Sequence, residues 1–148
     1  MPPGPRVTLV RQLKAPAELI FEAWTAPRLI AHWWLGVGAS HVVTQCEPRR
    51  GGHFLISGHD AGGAAVEDWG VYTVVIPGEV LEFSWRAEPP GPSHVTLQLL
   101  PLAYTTELTL VHFELPDTAT CEAQRARWTA ALDALEALLE PPPPPDGR

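Results

Sequence analysis

Basic charge is the scarcest property of this chain. Lysine occurs once in 148 residues, and the ten Lys and Arg residues face seventeen Asp and Glu, for a formal net charge of −7. Apart from Arg49-Arg50 and Arg125/Arg127 the cations are scattered. Phosphate-backbone binding depends on concentrated positive charge, so nucleic acid is not expected as a partner. Cysteine is nearly as rare. Cys46 and Cys121 belong to no CxxC pair and are too few for a disulfide framework, which reads them as free thiols in a reducing compartment. No apolar run approaches the roughly 20 residues of a membrane helix. The opening MPPGPRVTLV lacks the basic-then-apolar pattern of a secretory signal, so the expectation is a soluble, cytoplasmic protein. No HxxxH or HExxH spacing joins the six histidines, and neither a metal nor another cofactor is expected. Nor does a GxSxG elbow frame Ser57, Ser84 or Ser93 as a nucleophile.

Proline, by contrast, is abundant, with 17 residues. MPPGP at 1–5 and PPPPPDGR at 141–148 are expected to be disordered, because successive prolines forbid helix and favour extended chain. The second run reads either as a tail that stops the last helix or as a ligand for a proline-reading module. Between them, residues 6–140 are expected to form one domain, a length that supports a single core and shows no internal repeat.

Within that domain the hydrophobic period changes twice. RVTLVRQL (Arg6–Leu13) alternates like a strand, and APAELIFEAWTA then recurs at helical spacing behind Pro16. A second short helix is expected from Pro27 to about Trp33. Six strands follow, at His41–Glu47, Gly52–Ser57, Trp69–Ile76, Val80–Ala87, His94–Leu100 and Thr105–Phe113, separated by Gly- and Pro-rich turns. Cys121–Glu140 closes the chain with Trp128, Ala131, Leu132, Leu135, Leu138 and Leu139 in one stripe, while Arg125, Arg127 and the acidic residues mostly lie elsewhere. Asp117, Thr118 or Thr120 supplies its N-cap and Pro141 ends it. The prediction is an α+β fold in which a seven-stranded antiparallel sheet curls around one long helix. Alternation turns Leu81, Phe83 and Trp85, Val95, Leu97 and Leu99, and Leu108, Leu110 and His112 toward that helix.

Five segments, in order, carry a resemblance: FEAWTAPRLIAHWW (Phe21–Trp34), EPRRGGHF (Glu47–Phe54), WGVYTVVIPGEVLEFSW (Trp69–Trp85), LTLVHFELPD (Leu108–Asp117) and RWTAALDALEALL (Arg127–Leu139). Together they resemble the bacterial AHSA1-like family, named for the activator of the Hsp90 ATPase, within the START/Bet v 1-like (SRPBCC) superfamily. The resemblance implies the helix-grip fold, a curved seven-stranded sheet gripping the C-terminal helix with an apolar cavity between them and two short helices after strand one. Relatives on this fold bind lipids, sterols or plant hormones, cyclise polyketides or act on chaperones, so the fold alone leaves the role open. Two positions depart from the family's usual pattern. WWLGVG stands where WWGP is frequent, and Arg127 stands where Gly often precedes the helix tryptophan. Both lie at the expected mouth or wall of the cavity.

The expected ligand-cavity wall comprises Trp33, Trp34, Phe54, Trp69, Phe83, Trp85, Leu97, Leu99, Leu110, His112, Trp128 and Leu132. The aromatics are either core packing or pocket lining. His112 is the one catalytic candidate. It is either a core histidine satisfied by a neighbour or a hydrogen-bonding anchor and proton-transfer group. Glu67 and Asp68, ahead of Trp69, read as a solvated loop whose neighbouring carboxylates point to opposite faces, and Arg49-Arg50 as a turn that either is solvated or clamps an acidic group. The leading expectation is a non-enzymatic protein holding a small hydrophobic or aromatic molecule between sheet and helix. One alternative is a polyketide cyclase/aromatase-like or hydrolase-type enzyme using His112 with Tyr72 or Tyr104. The other is a chaperone-activating or stress-response partner protein. A homodimer is left open. A void of several hundred cubic ångströms favours the small-molecule reading, and an interior filled by tryptophans favours a partner-binding or structural role.

Overall fold

The computed structural model describes residues 4–87 and 90–140. The proline-rich ends expected to be disordered lie outside the described residues, apart from positions 4 and 5. The first strand, β1 (Val7–Leu13), gives way to α1 (Ala17–Thr25) at Pro16, whose φ of −71° suits the cap position and whose missing N–H no helix needs there. Helix α1 buries Ile20, Phe21, Ala23 and Trp24 on one side. The chain turns at Ala26, and α2 (Pro27–Ile30) begins with Pro27 at its first position.

The second helix was expected to reach Trp33 and instead stops at Ile30. From there i→i−3 bonds, His32 N–H donating to Leu29 O at 3.0 Å and Trp33 N–H to Ile30 O at 3.2 Å, mix with an i→i−4 bond from Trp34 N–H to Ile30 O at 3.1 Å, until Gly36 takes a φ of 86° that an L side chain rarely adopts. Both tryptophans of the doublet therefore sit on a short, tight turn and not on a regular helix.

Seven strands make one antiparallel sheet in the order β1-β7-β6-β5-β4-β3-β2, comprising also β2 (Ser40–Cys46), β3 (His53–His59), β4 (Ala65–Ile76), β5 (Val80–Trp85), β6 (Ser93–Pro101) and β7 (Thr106–Phe113). Its inner face buries Leu81, Phe83 and Trp85 of β5, Val95, Leu97 and Leu99 of β6, and Leu108, Leu110 and His112 of β7. Each set sits at every second position because successive side chains of a strand point to opposite faces. The last helix, α3 (Thr118–Leu139), crosses this face and buries Trp128, Ala131, Leu132 and Leu135. It starts three residues earlier than the sequence suggested because Asp117 caps it, Oδ1 accepting from Thr120 N–H at 2.7 Å.

Strand β4 is the largest correction. It begins at Ala65, four residues ahead of the expected Trp69, because Asp60 Oδ1 accepts from the Gly62 and Ala64 N–H groups and closes the preceding turn tightly. The extra residues fix the faces: Asp68, Gly70 and Tyr72 point inward, while Trp69 lies on the outer face and is 43% exposed. Trp69 is thus no part of an inner wall. Gly70 occupies an inward position that admits no side chain, since a Cβ there would lie 1.8 Å from Ser84 O and 2.7 Å from a Phe54 ring carbon. The missing side chain leaves that space to the Phe54 ring, opposite Gly70 in the β3–β4 register. Gly70→Ala is expected to destabilise the protein by about 2 kcal/mol or more, as overpacking does when backbone must move, measured by urea unfolding; a loss below about 0.5 kcal/mol would contradict this packing.

Candidate functional site

Five tryptophans from four elements converge between sheet and helix: Trp24 of α1, Trp33 and Trp34 of the turn after α2, Trp85 of β5 and Trp128 of α3. Trp34 is the hub. Its ring centroid lies 5.3 Å from that of Trp128, 5.5 Å from Trp33, 5.9 Å from Trp24, 6.0 Å from Phe54 and 6.1 Å from both Phe83 and Trp85. These are tilted, edge-on and stacked pairings in the distance range where aromatic quadrupoles attract. The two neighbours of the doublet divide their work. Trp33 Nε1–H donates to Ala23 O at 2.9 Å, tying the turn to α1, whereas Trp34 Nε1–H donates to Asp68 Oδ2 at 2.9 Å, tying it to the sheet.

Asp68 carries the site's charge. Its side chain is 1% exposed, and the Arg127 guanidinium of α3 grips both oxygens, at 3.2 Å to Oδ1 and 2.5 Å to Oδ2. The bidentate pair satisfies the planar geometry of both groups, which is what a buried carboxylate needs. Arg127 also places its Cζ 5.2 Å from the centre of the Trp85 ring, a cation over an aromatic face. Its side chain remains a third exposed, so the guanidinium closes the aromatic cluster from the solvent side.

Space inside the cluster is nearly used up. The gap lined by Trp24, Ile30, Trp34, Phe54, Ile56, Tyr72, Leu81 and Phe83 amounts to about 10 Å³, the size of a single water site, and the gap beneath Arg127 among Trp34, Trp85, Trp128 and Ala131 has none to spare. Immediately outside lies an open crevice of about 360 Å³, bounded by Trp34–Val37, by Asp60–Gly62 and Val66 of the β3–β4 hairpin, and by Ala126, Arg127 and Ala130 of α3. A Cβ added at Gly36 would meet the Ala130 methyl at 3.6 Å, so the loop after the doublet runs close over the helix. Two indole N–H groups buried in the cluster, those of Trp24 and Trp85, have no acceptor.

His112 lies fully buried at the base of the cluster. Trp128 Nε1–H donates to its Nδ1 at 3.1 Å, which makes Nδ1 the lone-pair nitrogen and leaves the proton on Nε2, 2.8 Å from Ser93 Oγ. Ser93 Oγ in turn lies 3.3 Å from Gly91 O. Burial, reinforced by the nearby Arg127 charge, lowers its pKa from 6.5 to about 3.

A family model described as "Activator of Hsp90 ATPase homolog 1-like protein" matches residues 14–140. The chain belongs to that family. Solved structures bear out the fold. A Chromobacterium violaceum protein, 28% identical, superposes with a TM-score of 0.80 over 93% of this chain and 98% of its own. A Nitrosomonas europaea protein, 20% identical, does so at 0.75 over 90% and 93%, and a Staphylococcus aureus protein of unknown function, 14% identical, at 0.77 over 91% and 93%. No curated protein matches the chain.

In this AHSA1-like chain the site residues read from the sequence fall into three groups. Trp33, Trp34, Phe54, Phe83, Trp85, Leu97, Leu99, Leu110, His112, Trp128 and Leu132 are all buried in one core, though packed against one another and not around a preformed void. Trp69 is outside it, and Tyr104 is 94% exposed on the β6–β7 hairpin, far too open to share a site with His112. Tyr72 is buried, and burial holds its phenol protonated well beyond the usual tyrosine range. Among the described residues no three His, Cys, Asp or Glu side chains gather as a metal set, and no helix is long and apolar enough to cross a membrane. The sequence reading missed the Asp68–Arg127 pair. It set Asp68 in a solvated loop and Arg127 on the helix's polar side. Extending the alternation of Gly70 and Tyr72 two residues back would have turned Asp68 inward.

His112 makes a pH prediction. Its folded pKa is depressed, so above about pH 6.5 both folded and unfolded chains hold it neutral and its contribution is complete. As pH falls from 6.5 toward 3, the unfolded chain takes up a proton that the folded chain refuses, and stability declines by about 1.4 kcal/mol per pH unit from this group. His112→Gln keeps an amide donor and acceptor but cannot titrate. Urea unfolding between about pH 6 and pH 4 is expected to show the wild type losing stability more steeply than His112→Gln by about 1 kcal/mol per pH unit, and parallel profiles would contradict the assignment.

Proposed function

We propose that the protein is a non-enzymatic, cytoplasmic binder of a small aromatic or apolar molecule. The ligand enters through the crevice beside the tryptophan doublet and reaches the aromatic cluster between the sheet and α3. The observation that carries this reading is the crevice itself, about 360 Å³ of open space with Trp34 in its wall, beside an aromatic cluster in which the buried indole N–H groups of Trp24 and Trp85 lack acceptors. Small-molecule sites have this size and this mainly apolar lining with a few polar groups. An unpaired buried donor costs about 1–3 kcal/mol, a cost that a ligand oxygen in the opened cluster removes. Binding deep in the cluster requires the doublet turn to move, because side chains fill the interior; Gly36 and Gly38, both at positive φ, supply the backbone freedom at that turn.

The enzyme alternative draws no support from His112, whose two ring nitrogens are both engaged inside the core. The partner-protein alternative is favoured by one observation, the filled interior. A purified Hsp90-type ATPase separates the two readings, since the partner reading expects its turnover to rise on adding this protein and the ligand reading expects no change. The direct test is native mass spectrometry of the purified protein with thermal shifts across a panel of neutral aromatics, aromatic ammonium compounds and fatty acids. At least one compound is expected to quench tryptophan emission saturably and raise the melting temperature by about 5 °C or more at a hundredfold excess over its Kd. No copurified molecule and no shift across the panel would remove the reading.

A further inference from the structure

The chemistry at the crevice floor selects a charge, and this inference rests on the ligand-binding reading above. The ion pair there is asymmetric in mobility. Asp68 is fixed on an inward position of β4 and fully buried, whereas Arg127 reaches it on a long side chain from α3 and borders the open crevice. If one member leaves, it is the arginine. What stays behind is a carboxylate that, among the described residues, keeps one side-chain partner, the Trp34 N–H, while the rings of Trp34, Trp85 and Trp128 line the gap Arg127 now closes. The neighbours of Arg127 on the crevice side of the helix, Ala126 and Ala130, are too small to cover the opening.

We propose that Asp68 and the tryptophan faces form a cation subsite that Arg127 occupies in cis, and that the ligand is an organic cation, an ammonium or guanidinium on an apolar or aromatic body, whose head displaces Arg127. A cation above an electron-rich ring is the contact Arg127 already makes with Trp85, at 5.2 Å. An incoming anion would face the Asp68 charge, and a neutral head would leave that charge buried without a counterion, the arrangement that costs most. A cation replaces like with like. Asp60, the other charged side chain lining the crevice, is also acidic, so the approach to the floor carries no second cation. Trp34, Leu35, Val37 and Val66 then offer the ligand's body an apolar wall outside the subsite.

The test uses benzyltrimethylammonium, benzyl alcohol and phenylacetate as cationic, neutral and anionic probes, titrated by tryptophan fluorescence and calorimetry into the wild type and Arg127→Gln. Glutamine keeps an amide donor for Asp68 while removing the resident cation. The expected result is that Arg127→Gln binds the cation at least tenfold tighter than the wild type does and at least tenfold tighter than it binds benzyl alcohol. In Arg127→Ala, which leaves Asp68 unpaired, added benzyltrimethylammonium is expected to raise the melting temperature where phenylacetate does not. Equal affinities for the cationic and neutral probes in Arg127→Gln would overturn the charge selection and leave the ligand-binding reading standing. Phenylacetate binding to the wild type that disappears in Arg127→Gln would overturn it in favour of an anion held by Arg127. Failure of all three probes to bind either protein would overturn the inference, while the ligand-binding reading is decided separately by copurification and the compound panel.

Discussion

Asp68 divides its carboxylate between the guanidinium of Arg127 and the indole N–H of Trp34, and through those two bonds it connects β4, α3 and the turn after α2. A charge taken out of water this completely is tolerated only while both partners stay in place; losing one member of a buried pair costs about 3–5 kcal/mol. That penalty holds the long helix in register over the sheet and keeps Trp34 edge-on against Trp128 and stacked on Trp85. The tryptophan cluster is therefore closed by electrostatics at its rim as well as by packing at its centre.

Beneath the rim, the hydrogen bonds of the core run in one direction. Trp128 donates to His112, which shares its remaining proton with Ser93, next to the Gly91 carbonyl. A neutral imidazole suits this chain because it offers one acceptor and one donor; a protonated ring would offer the Trp128 indole no lone pair. The Arg127 charge nearby works in the same sense, disfavouring a second cation in the core. Thus the same arginine that neutralises Asp68 helps keep His112 in the state its neighbours require. Both ring nitrogens of the histidine are taken up by neighbours inside the core, and the open space lies outside Arg127.

Much of this architecture was legible in the sequence because it follows from period. Alternation placed the inward faces of β5, β6 and β7, and the segments from Phe21 to Leu139 pointed to the family that the match over residues 14–140 establishes. Three features were not legible for specific reasons. Trp69 read as part of the wall because it was grouped with the other large aromatics, whereas the alternation of β4, with Asp68, Gly70 and Tyr72 buried, turns it outward. The Trp33-Trp34 doublet read as the end of a helix because i, i+4 spacing does not distinguish an α turn from the tighter bonding the chain adopts there. Arg127 read as a residue off the apolar stripe, at the mouth or wall of the expected cavity, and its ion pair stayed hidden because a long side chain reaches a buried partner that tertiary structure supplies. The departure from Gly at that position was visible; its partner was not.

The account stands or falls on whether Asp68 and Arg127 act as one unit. A double-mutant cycle with Asp68→Asn and Arg127→Met, followed by urea unfolding at neutral pH, measures that directly. The account predicts that each single substitution costs about 3 kcal/mol or more, and that the double variant loses much less than their sum, a coupling of about 2 kcal/mol or larger. Additive losses within about 0.5 kcal/mol would show that the pair is incidental and that packing alone closes the tryptophan cluster.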